Sequence, residues 1–305
     1  MSVFFKLPGL FVILWLAFSS ISAAQLSGET ATKSSTHARS IVVSVAEDVV
    51  NDSLATFTDG VVQGSDFTSL EARVGSSRDE SFAEIIGVYR LLESDRNFIF
   101  NQTSVSSFDD RETVNTGLGI RQITEDGMGI FGGNVFFDLE PGAGHKRVGA
   151  GVEYLTSRID FRANYYHKLS KAKTYKGVHE EALKGSDLAL SYRLPILRSA
   201  SLTAKRQRWF DGKGFSETAS SATFDVSLAR HLWLSLEHEK FSGRKADVNS
   251  FVSYRLPLSR AQGTDNDDVD TGEEFNLREK LYQPVRRENR IRKKSVNLGV
   301  TVGSY

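Results

Sequence analysis

A block of acidic residues near the C-terminus is the first place where this sequence could do chemistry. The run DNDDVDTGEE, residues 265–274, is rich in carboxylates, and calcium prefers oxygen ligands. No starting point in this run places carboxylate or amide side chains at loop positions one, three and five with glycine at position six. The block is therefore interpreted as a solvated linker. Its acidic members are Asp265, Asp267, Asp268, Asp270, Glu273 and Glu274.

The six histidines are the candidates for catalysis or metal binding. His179 precedes two glutamates but lacks a second histidine four residues later, so the segment does not match a zinc-binding helix. The pair His238-Glu239 lies near the end of an alternating segment, as an outer-membrane hydrolase would require, but no GxSxG sequence accompanies it. We expect no catalytic residue, no metal site and no cofactor, and an outer-membrane enzyme is kept as a lower alternative.

Two glycine pairs resemble fragments of phosphate-binding loops. They are Gly142-x-Gly144 and Gly149-x-Gly151, and both come before or within an alternating segment, where a phosphate loop would open a helix. Small residues that pack inside a sheet explain them better.

A basic block follows the acidic one and could attract phosphate. Acidic and basic residues are equal in number, 38 each, so the chain as a whole has no attraction for nucleic acid. Three interpretations stay open for the block. It could be attracted to lipopolysaccharide, it could be attracted to the acidic lumen of a barrel, or it could simply be solvated. Its members are Arg286, Arg287, Arg290, Arg292, Lys293 and Lys294.

The N-terminus has the pattern of a secretory signal peptide. Lys6 precedes an apolar run at 7–18, and Ser22-Ala23-Ala24 offers a cleavage site after Ala24. The apolar run is shorter than the ~20 residues that a membrane-spanning helix needs. Residues 25–66 are rich in Ser, Thr, Asp and Ala, and we expect them to form a flexible or weakly helical periplasmic lead-in. Because the chain has no cysteine, disulfides cannot stabilise it after export.

From about residue 67 to residue 258 the sequence alternates with period two, which is typical of β-strands. In VGAGVEYL, for example, Val148, Val152 and Tyr154 fall on one face and Glu153 on the other. An even number of such strands, with charge and glycine on one face, predicts a twelve-stranded antiparallel transmembrane β-barrel of the bacterial outer membrane. The segments are 69–77, 82–92, 97–105, 112–122, 128–138, 147–155, 158–168, 186–195, 199–210, 219–229, 231–239 and 247–257.

The connections predict the orientation of this barrel. Those after the fifth, seventh and ninth segments are longer than those after the even ones, which is the pattern of extracellular loops and periplasmic turns. Aromatic residues near the segment ends are predicted to form two girdles at the membrane interfaces, one of them made of Phe136, Phe137, Tyr165, Tyr166, Trp209 and Phe210.

The polar face of each segment is predicted to line the lumen. The residues expected there are Asn115, Arg121, Asn134, Asp138, Arg147, Glu153, Arg162, Asn164, Asp187, Arg193, Asp225, Glu237 and Arg255.

Several sequence motifs resemble the β-domain of the inverse autotransporters, the intimin and invasin family. They are NTGLGIRQ, GGNVFFD, RVGAGVEY, SYRLP and QPVRRENRI, in this order between residues 115 and 291. The resemblance implies a twelve-stranded barrel whose C-terminal linker, here residues 259–294, passes from the periplasm through the pore and delivers a passenger that acts in adhesion or invasion. The linker's exit motif would correspond to Gln283, Pro284, Val285, Arg286, Arg287, Glu288, Asn289, Arg290 and Ile291.

The chain departs from this family pattern after the barrel. Residues 259–305 are too few for an immunoglobulin-like domain of ~100 residues, so we expect only a short tail, 295–305, beyond the linker. The main alternative is a small surface adhesin that binds through its own loops, chiefly 169–185 and 211–218, and a soluble β-sandwich is the last. The expected partners are outer-membrane lipid and lipopolysaccharide, the barrel-assembly machinery, periplasmic chaperones and a receptor on a host or neighbouring cell, with no nucleic acid.

Overall fold

The computed structural model describes residues 66–77, 80–109, 111–195, 197, 200–229, 231–258 and 277–295. The predicted signal peptide, most of the lead-in, much of the linker and nearly all of the tail lie outside these ranges. By its contacts the chain divides after Ser65, and everything described below belongs to the unit that starts at Asp66.

The described part of the chain is built almost entirely of β-strands. A short 3-10 helix spans Leu277–Leu281. Among the described residues, no helix has the length and the apolar character needed to cross a membrane. In chain order the strands are β1 (Phe67–Ser77), β2 (Glu80–Glu93), β3 (Asn97–Phe108), β4 (Arg111–Ile123), β5 (Gly129–Glu140), β6 (His145–Thr156), β7 (Ile159–Lys168), β8 (Lys173–Tyr175), β9 (Val178–Ala182), β10 (Lys184–Arg193), β11 (Ala200–Phe210), β12 (Ser216–Ser227), β13 (Leu232–Phe241), β14 (Ala246–Pro257) and β15 (Lys293–Ser295).

Twelve of these strands form one closed antiparallel barrel, which confirms the predicted fold. Each strand pairs with its neighbours in the sequence, except that β7 pairs with β10 and that β1 pairs with β14 to close the wall. Closure gives every barrel strand two partners, so the wall has no free edge.

The two faces of the wall follow the period-two alternation. On β6, His145, Arg147 and Glu153 are buried, whereas Val148 and Val152 are exposed on the other side. Most neighbouring strands repeat this arrangement, so much of the outer surface is a band of exposed apolar residues and the lumen is mainly polar and charged. An apolar outer band of this kind is the surface that a barrel presents to lipid.

The remaining strands form a second, small sheet. Strands β8 and β9 are a hairpin within the β7–β10 connection, and β15 pairs with β9 through Lys293 and Ala182. The hairpin turn is Lys176-Gly177, where both residues have positive φ, 47° and 79°. Such a two-residue turn matches the twist of the strands it joins.

The connections differ from the prediction, because the strands are longer than their apolar alternation. Polar residues such as Glu140 and His145 extend β5 and β6, so only residues 141–144 remain between them. The β11–β12 connection shortens likewise to 211–215. The connection 169–183 is the one that stays long among those described. We call the end of the barrel that carries it the long-loop rim, and the opposite end, where β1 begins and β14 ends, the short-turn rim.

Candidate functional site: the lumen and the segment inside it

The lumen contains a segment of the chain's own C-terminal region, residues 277–295, which we call the inner segment. Several of its side chains are buried, among them Leu281, Val285 and Ile291 at 0%, 3% and 2% exposure. Its contacts with the wall follow in sequence order from the short-turn rim to the long-loop rim. The inner segment therefore runs the length of the barrel.

At the short-turn rim the 3-10 helix is fastened to the turns between strands. Arg278 donates from Nη1 to the carbonyl oxygen of Asp95 at 2.8 Å. Lys280 donates from Nζ to the carbonyl oxygen of Thr156 at 2.6 Å, and it also pairs with Asp160. These bonds position the point where the inner segment enters the lumen.

Just above this entrance, the inner segment inserts apolar side chains into the lumen. Leu281, Tyr282 and Val285 pack into one cluster with Phe98, Phe100 and other buried wall residues. Arg121 closes the polar side of the cluster, because its Nη1 lies 2.7 Å from the carbonyl oxygen of Leu281 and 2.5 Å from that of Gln283. An apolar contact inside a polar lumen favours one register of the inner segment over others.

Gln102 satisfies both backbone groups of Val285. The backbone N–H of Val285 donates to Oε1 of Gln102 at 2.7 Å, and Nε2 of Gln102 donates to the carbonyl oxygen of Val285 at 3.3 Å. The primary amide thus takes the place of a neighbouring strand. Because buried backbone groups are costly when unpaired, this residue permits extended chain to lie inside the barrel.

Two residues before the end of β5 at the long-loop rim, Asp138 is the acceptor for three polar side chains. Arg287 binds it through two nitrogens, at 2.7 Å and 2.9 Å, while Arg147 donates from Nε at 2.7 Å and Asn115 from Nδ2 at 2.7 Å. Asp138, Arg147 and Arg287 are almost completely buried. The second positive charge of this cluster is brought by the inner segment, so the cluster is complete only when that segment is present.

Aromatic faces surround the same guanidinium groups. The Cζ atom of Arg287 lies 4.3 Å from the ring centre of Phe136, and that of Arg147 lies 4.4 Å from the ring centre of Tyr166. Such contacts stabilise desolvated cations. Gly149 makes room for them, since a Cβ atom at this position would lie 2.8 Å from Nη2 of Arg287.

Tyr166 and Arg147 also fix the backbone of the inner segment. The N–H of Glu288 donates to the hydroxyl oxygen of Tyr166 at 2.8 Å, and that hydroxyl donates to Asp187 at 2.6 Å. Arg147 donates to the carbonyl oxygens of Glu288 and Arg290, at 2.6 Å and 2.9 Å. Here too, side chains of the wall form the hydrogen bonds that the backbone of a neighbouring strand would otherwise form.

Two further contacts join the inner segment to the first strands of the barrel. Arg286 binds both carboxylate oxygens of Glu71, at 2.8 Å and 2.7 Å. Asn289 donates from its amide to Glu84 at 2.7 Å. The basic residues of the inner segment thus meet buried carboxylates of the wall, which favours the acidic lumen among the three interpretations of the basic block.

At the long-loop rim the inner segment joins the small sheet. Lys293 pairs with Glu140 of β5 and Lys294 pairs with Asp211 of the β11–β12 connection. The backbone of residues 293–295 also forms β15, the edge strand of the small sheet, which pairs with β9. Side-chain and backbone contacts therefore fix the chain where it leaves the lumen.

Cations hold the carboxylates of this rim in their ionised form. Hydrogen bonds, first from Lys294 and then from the backbone N–H of Lys213, lower the pKa of Asp211 below its ordinary value. A hydrogen bond from Lys168 lowers the pKa of Glu181. The rim therefore keeps its ion pairs at neutral pH.

All the residues predicted to line the lumen lie on the inner face of the wall. The structure brings one group of them against the inner segment: Asn115, Arg121, Asp138, Arg147 and Asn164 bond to it directly, while Glu153 and Asp187 bond to residues that do. A second group forms contacts within the wall, in which Arg162 pairs with Asp160, Asp225 accepts from Ser235, Glu237 accepts from Asn249, and Arg255 lies 3.6 Å from Glu71. Asn134 lies beside Gly151, and Arg193 lies near Asp160 and Glu279.

Two predictions about this region need correction. Phe136, Tyr166 and Trp209 do not belong to a membrane girdle, because their side chains are buried on the inner face at 4%, 0% and 1% exposure. The residues of the predicted exit motif, 283–291, lie along the lumen, where Arg286, Arg287 and Asn289 contact carboxylates of the wall. The chain instead leaves the lumen at Lys293–Ser295.

The prediction missed Gln102, Glu71, Glu84 and the aromatic contacts of the lumen. Adjacent aromatic residues in one strand, as at 136–137 and 165–166, must point to opposite faces, and this signal would have revealed the inward rings. The two histidine motifs are not brought together: His179 contacts Thr174 in the hairpin and His238 lies on β13. Within the described ranges, no three His, Cys, Asp or Glu residues converge in a way that could hold a metal ion.

Comparisons with known proteins agree with this architecture. The family described as Inverse autotransporter, beta-domain matches residues 18–289. An attaching and effacing protein homolog of Escherichia coli strain K12 is 29% identical over 41% of this chain and 44% of its own length. The inverse autotransporter adhesin YeeJ of the same strain is 32% identical over 32% of this chain and 4% of its own length. The aligned region thus spans less than half the length of these curated relatives.

A solved chain described as "Unveiling the Mechanism Behind the in-meso Crystallization of Membrane Proteins" has a similar fold. It superposes with a TM-score of 0.64 at 17% identity and covers 75% of this chain and 100% of its own. At this identity the likeness concerns the fold alone.

Proposed function

Since the chain belongs to the inverse autotransporter family through its β-domain, we propose that it is an outer-membrane translocator that passes its own C-terminal segment through the barrel to the cell surface. The observation that supports this most is the inner segment, whose contacts continue from Arg278 at the short-turn rim to Lys294 at the long-loop rim. In the proposed orientation the short-turn rim faces the periplasm and the long-loop rim faces outward, as in other outer-membrane barrels.

The mechanism we propose is that of a scaffold and conduit. The exposed apolar band anchors the barrel in lipid, while the polar inner face offers hydrogen bonds and opposite charge to an extended chain. Extended chain inside a barrel needs partners for its backbone groups, and Gln102, Arg121, Arg147 and Tyr166 provide them. Once the inner segment has reached its register, these bonds hold it there, and the inner segment fills the pore.

An epitope test on intact cells shows whether the chain after Ser295 reaches the cell surface or does not. An epitope inserted directly after Ser295 is expected to be cut by protease added outside the cells. A control epitope in the turn 124–128 is expected to be protected, and one in the connection 211–215 is expected to be cut. Protection of the epitope after Ser295 in cells whose 211–215 epitope is cut would contradict threading.

The second candidate is adhesion through the barrel's own loops, and the hairpin β8–β9 is the observation that favours it. This hairpin lies at the long-loop rim and exposes Lys173 and Lys176. Lys173→Ser with Lys176→Ser leaves the backbone pairing of β9 with β15 in place. Loss of binding to host cells or neighbouring cells in this variant would support adhesion by the loop, and unchanged binding would contradict it.

Export by the Sec route is proposed from the N-terminal pattern. Mass spectrometry of the protein purified from outer membranes is expected to give a mature chain that starts at Gln25. A chain that still begins at Met1 would contradict this processing.

A further inference from the structure

The outer surface of the barrel carries a polar area that the conduit does not use. It lies on β11, β12 and β13 next to the long-loop rim and consists of Arg206, Arg208, Ser216, Ser220 and Lys240, which we call the cationic rim patch. All of these side chains are exposed. They lie on the lipid-facing side of the wall, because their neighbours along the strands, Gln207, Ser221 and Glu239, are buried on the inner side.

The strand register brings the members of the patch together. Arg206 pairs with Ser220, and Ser220 pairs with Lys240, so the three residues form one row across three strands. Adjacent strands are ~4.8 Å apart, so the row spans about 10 Å between its two cations. Arg208 lies two residues nearer to the rim, where it pairs with Thr218. This spacing suits an anionic group that is held from two sides.

Hydroxyl groups orient the two arginines of the patch. Arg206 donates from Nη1 to Oγ of Ser220 at 3.4 Å, and Arg208 donates from Nε to Oγ of Ser216 at 3.2 Å. A guanidinium group has five N–H donors, so each arginine keeps donors for an external acceptor such as phosphate.

The charge of the patch is positive without nearby compensation. On the lipid-facing side of the described β11–β13 there is no carboxylate, since the acidic residues of these strands are at inward positions. Glu239 is 2% exposed, and Glu217 pairs with Arg244 of the β13–β14 connection at 2.6 Å.

The surface below the patch is apolar. Leu202 on β11 and Leu236 on β13 are exposed at 46% and 44%, and Leu190 on the adjoining β10 at 52%. Arg206 lies four residues from Leu202, which corresponds to ~13 Å along a strand. The patch therefore lies at the height where the hydrocarbon ends and lipid headgroups begin.

From this combination we propose that the cationic rim patch binds the phosphate groups of lipopolysaccharide in the outer leaflet. Acyl chains would contact the leucines, phosphate would contact the row of cations, and the serine hydroxyls would hydrogen-bond to the sugar backbone. The proposal rests on the orientation given above, because lipopolysaccharide is the phosphorylated lipid on the outer side of such a membrane.

Binding of lipid A to the purified full-length protein in detergent tests the proposal. Each cation near an anionic membrane surface adds about fivefold to binding, so R206Q/R208Q/K240Q should bind bisphosphorylated lipid A at least tenfold more weakly than wild type. The matched control is K146Q, because Lys146 is exposed on the outer face of β6 at the same rim. Heat-modifiable migration on gels verifies that each variant contains a folded barrel.

Three results would overturn the proposal. One is wild-type affinity in the triple variant, and another is equal affinity for dephosphorylated lipid A. The third is full displacement of lipid A by inorganic phosphate at equal concentration, since this would indicate a site for free phosphate. The detergent assay does not depend on orientation in a membrane. A negative result in this assay would contradict lipid A binding alone, whereas protection of the epitope after Ser295 would contradict threading.

Discussion

The side-chain amide of Gln102 pairs with both the N–H and the carbonyl oxygen of Val285, at 2.7 Å and 3.3 Å. A side chain of the wall thus provides what a neighbouring strand would provide to extended chain. This relationship leads to the first of four predictions.

Replacing Gln102 by leucine should loosen the inner segment without opening the barrel. The change leaves two buried backbone groups unpaired, at a cost of about 1–3 kcal/mol each. Because the natural chain has no cysteine, a single Val285→Cys substitution reports how often this position becomes accessible. Thiol alkylation of V285C should be at least tenfold faster in the Q102L background.

The matched control for this substitution is Gln122→Leu, because Gln122 is exposed on the outer face of β4. It should leave the alkylation rate unchanged. Equal rates in the Q102L and Q122L backgrounds would show that the amide does not hold the inner segment.

Removing the charge of Asp138 should destabilise the folded protein, because two buried arginines both pair with this carboxylate. Asp138→Asn leaves Arg147 and Arg287 with an uncompensated positive charge, for which about 3–5 kcal/mol of destabilisation is typical. Unfolding in urea, followed by tryptophan fluorescence, measures the loss. Asp126→Asn in an exposed turn is the control and should change the free energy of unfolding by less than about 0.5 kcal/mol.

A double-mutant cycle extends this prediction to the inner segment. If Arg287 contributes to the cost, D138N/R287Q should be less destabilised than the sum of the two single variants, by about 1–3 kcal/mol. Additive single effects would mean that the two residues act independently.

Adding a side chain at Gly149 should displace the inner segment. Gly149→Val would place atoms within 3 Å of the Arg287 guanidinium, because even a Cβ atom there lies 2.8 Å from Nη2. In the V285C reporter, G149V should raise the alkylation rate at least tenfold. Gly133→Val is the control, since a Cβ atom at Gly133 meets no atom within 4 Å; a similar increase with G133V would point to a general effect on the wall.

Acid should loosen the inner segment at the long-loop rim. The pKa values of Asp211 and Glu181 are lowered in the folded protein by their hydrogen bonds to Lys294 and Lys168, respectively. A lowered pKa means that the contact is fully stabilising above the unfolded carboxylate pKa values, near 4, and is lost as the pH falls below them.

A fluorophore on Ser295→Cys is expected to show constant anisotropy from pH 7 to about pH 5 and a decrease below about pH 4. In D211N/E181Q these carboxylates cannot titrate, so the anisotropy at pH 7 should already be lower than that of the wild type and should depend less on pH. A wild-type decrease that persists unchanged in the double variant would exclude these two carboxylates as its cause.

The fold could be predicted from the sequence because a barrel is encoded locally. Each strand shows its own alternation, as in Val148 to Tyr154, and consecutive strands pair with one another, so the count of segments already gives the wall. Strand ends were harder, because polar residues such as Glu140 and His145 continue the ladder without an apolar signal.

The site was less predictable because its contacts join distant parts of the chain. That polar residues such as Asp138 and Arg147 face inward follows from the alternation. Nothing local indicates that Arg286 meets Glu71 or that Gln102 meets Val285. Likewise, the pairing of β15 with β9 depends on where the lumen delivers the chain, which is a property of the closed barrel.

The succession of contacts along the inner segment also has a mechanical consequence. Tension applied to the chain at Ser295 would act first on the pairs of Lys293 and Lys294, then on the arginine and backbone contacts, and last on the cluster around Leu281 and the contacts of the 3-10 helix. Because these contacts lie one after another along the direction of the force, they would break in succession. The barrel would therefore resist the force in steps.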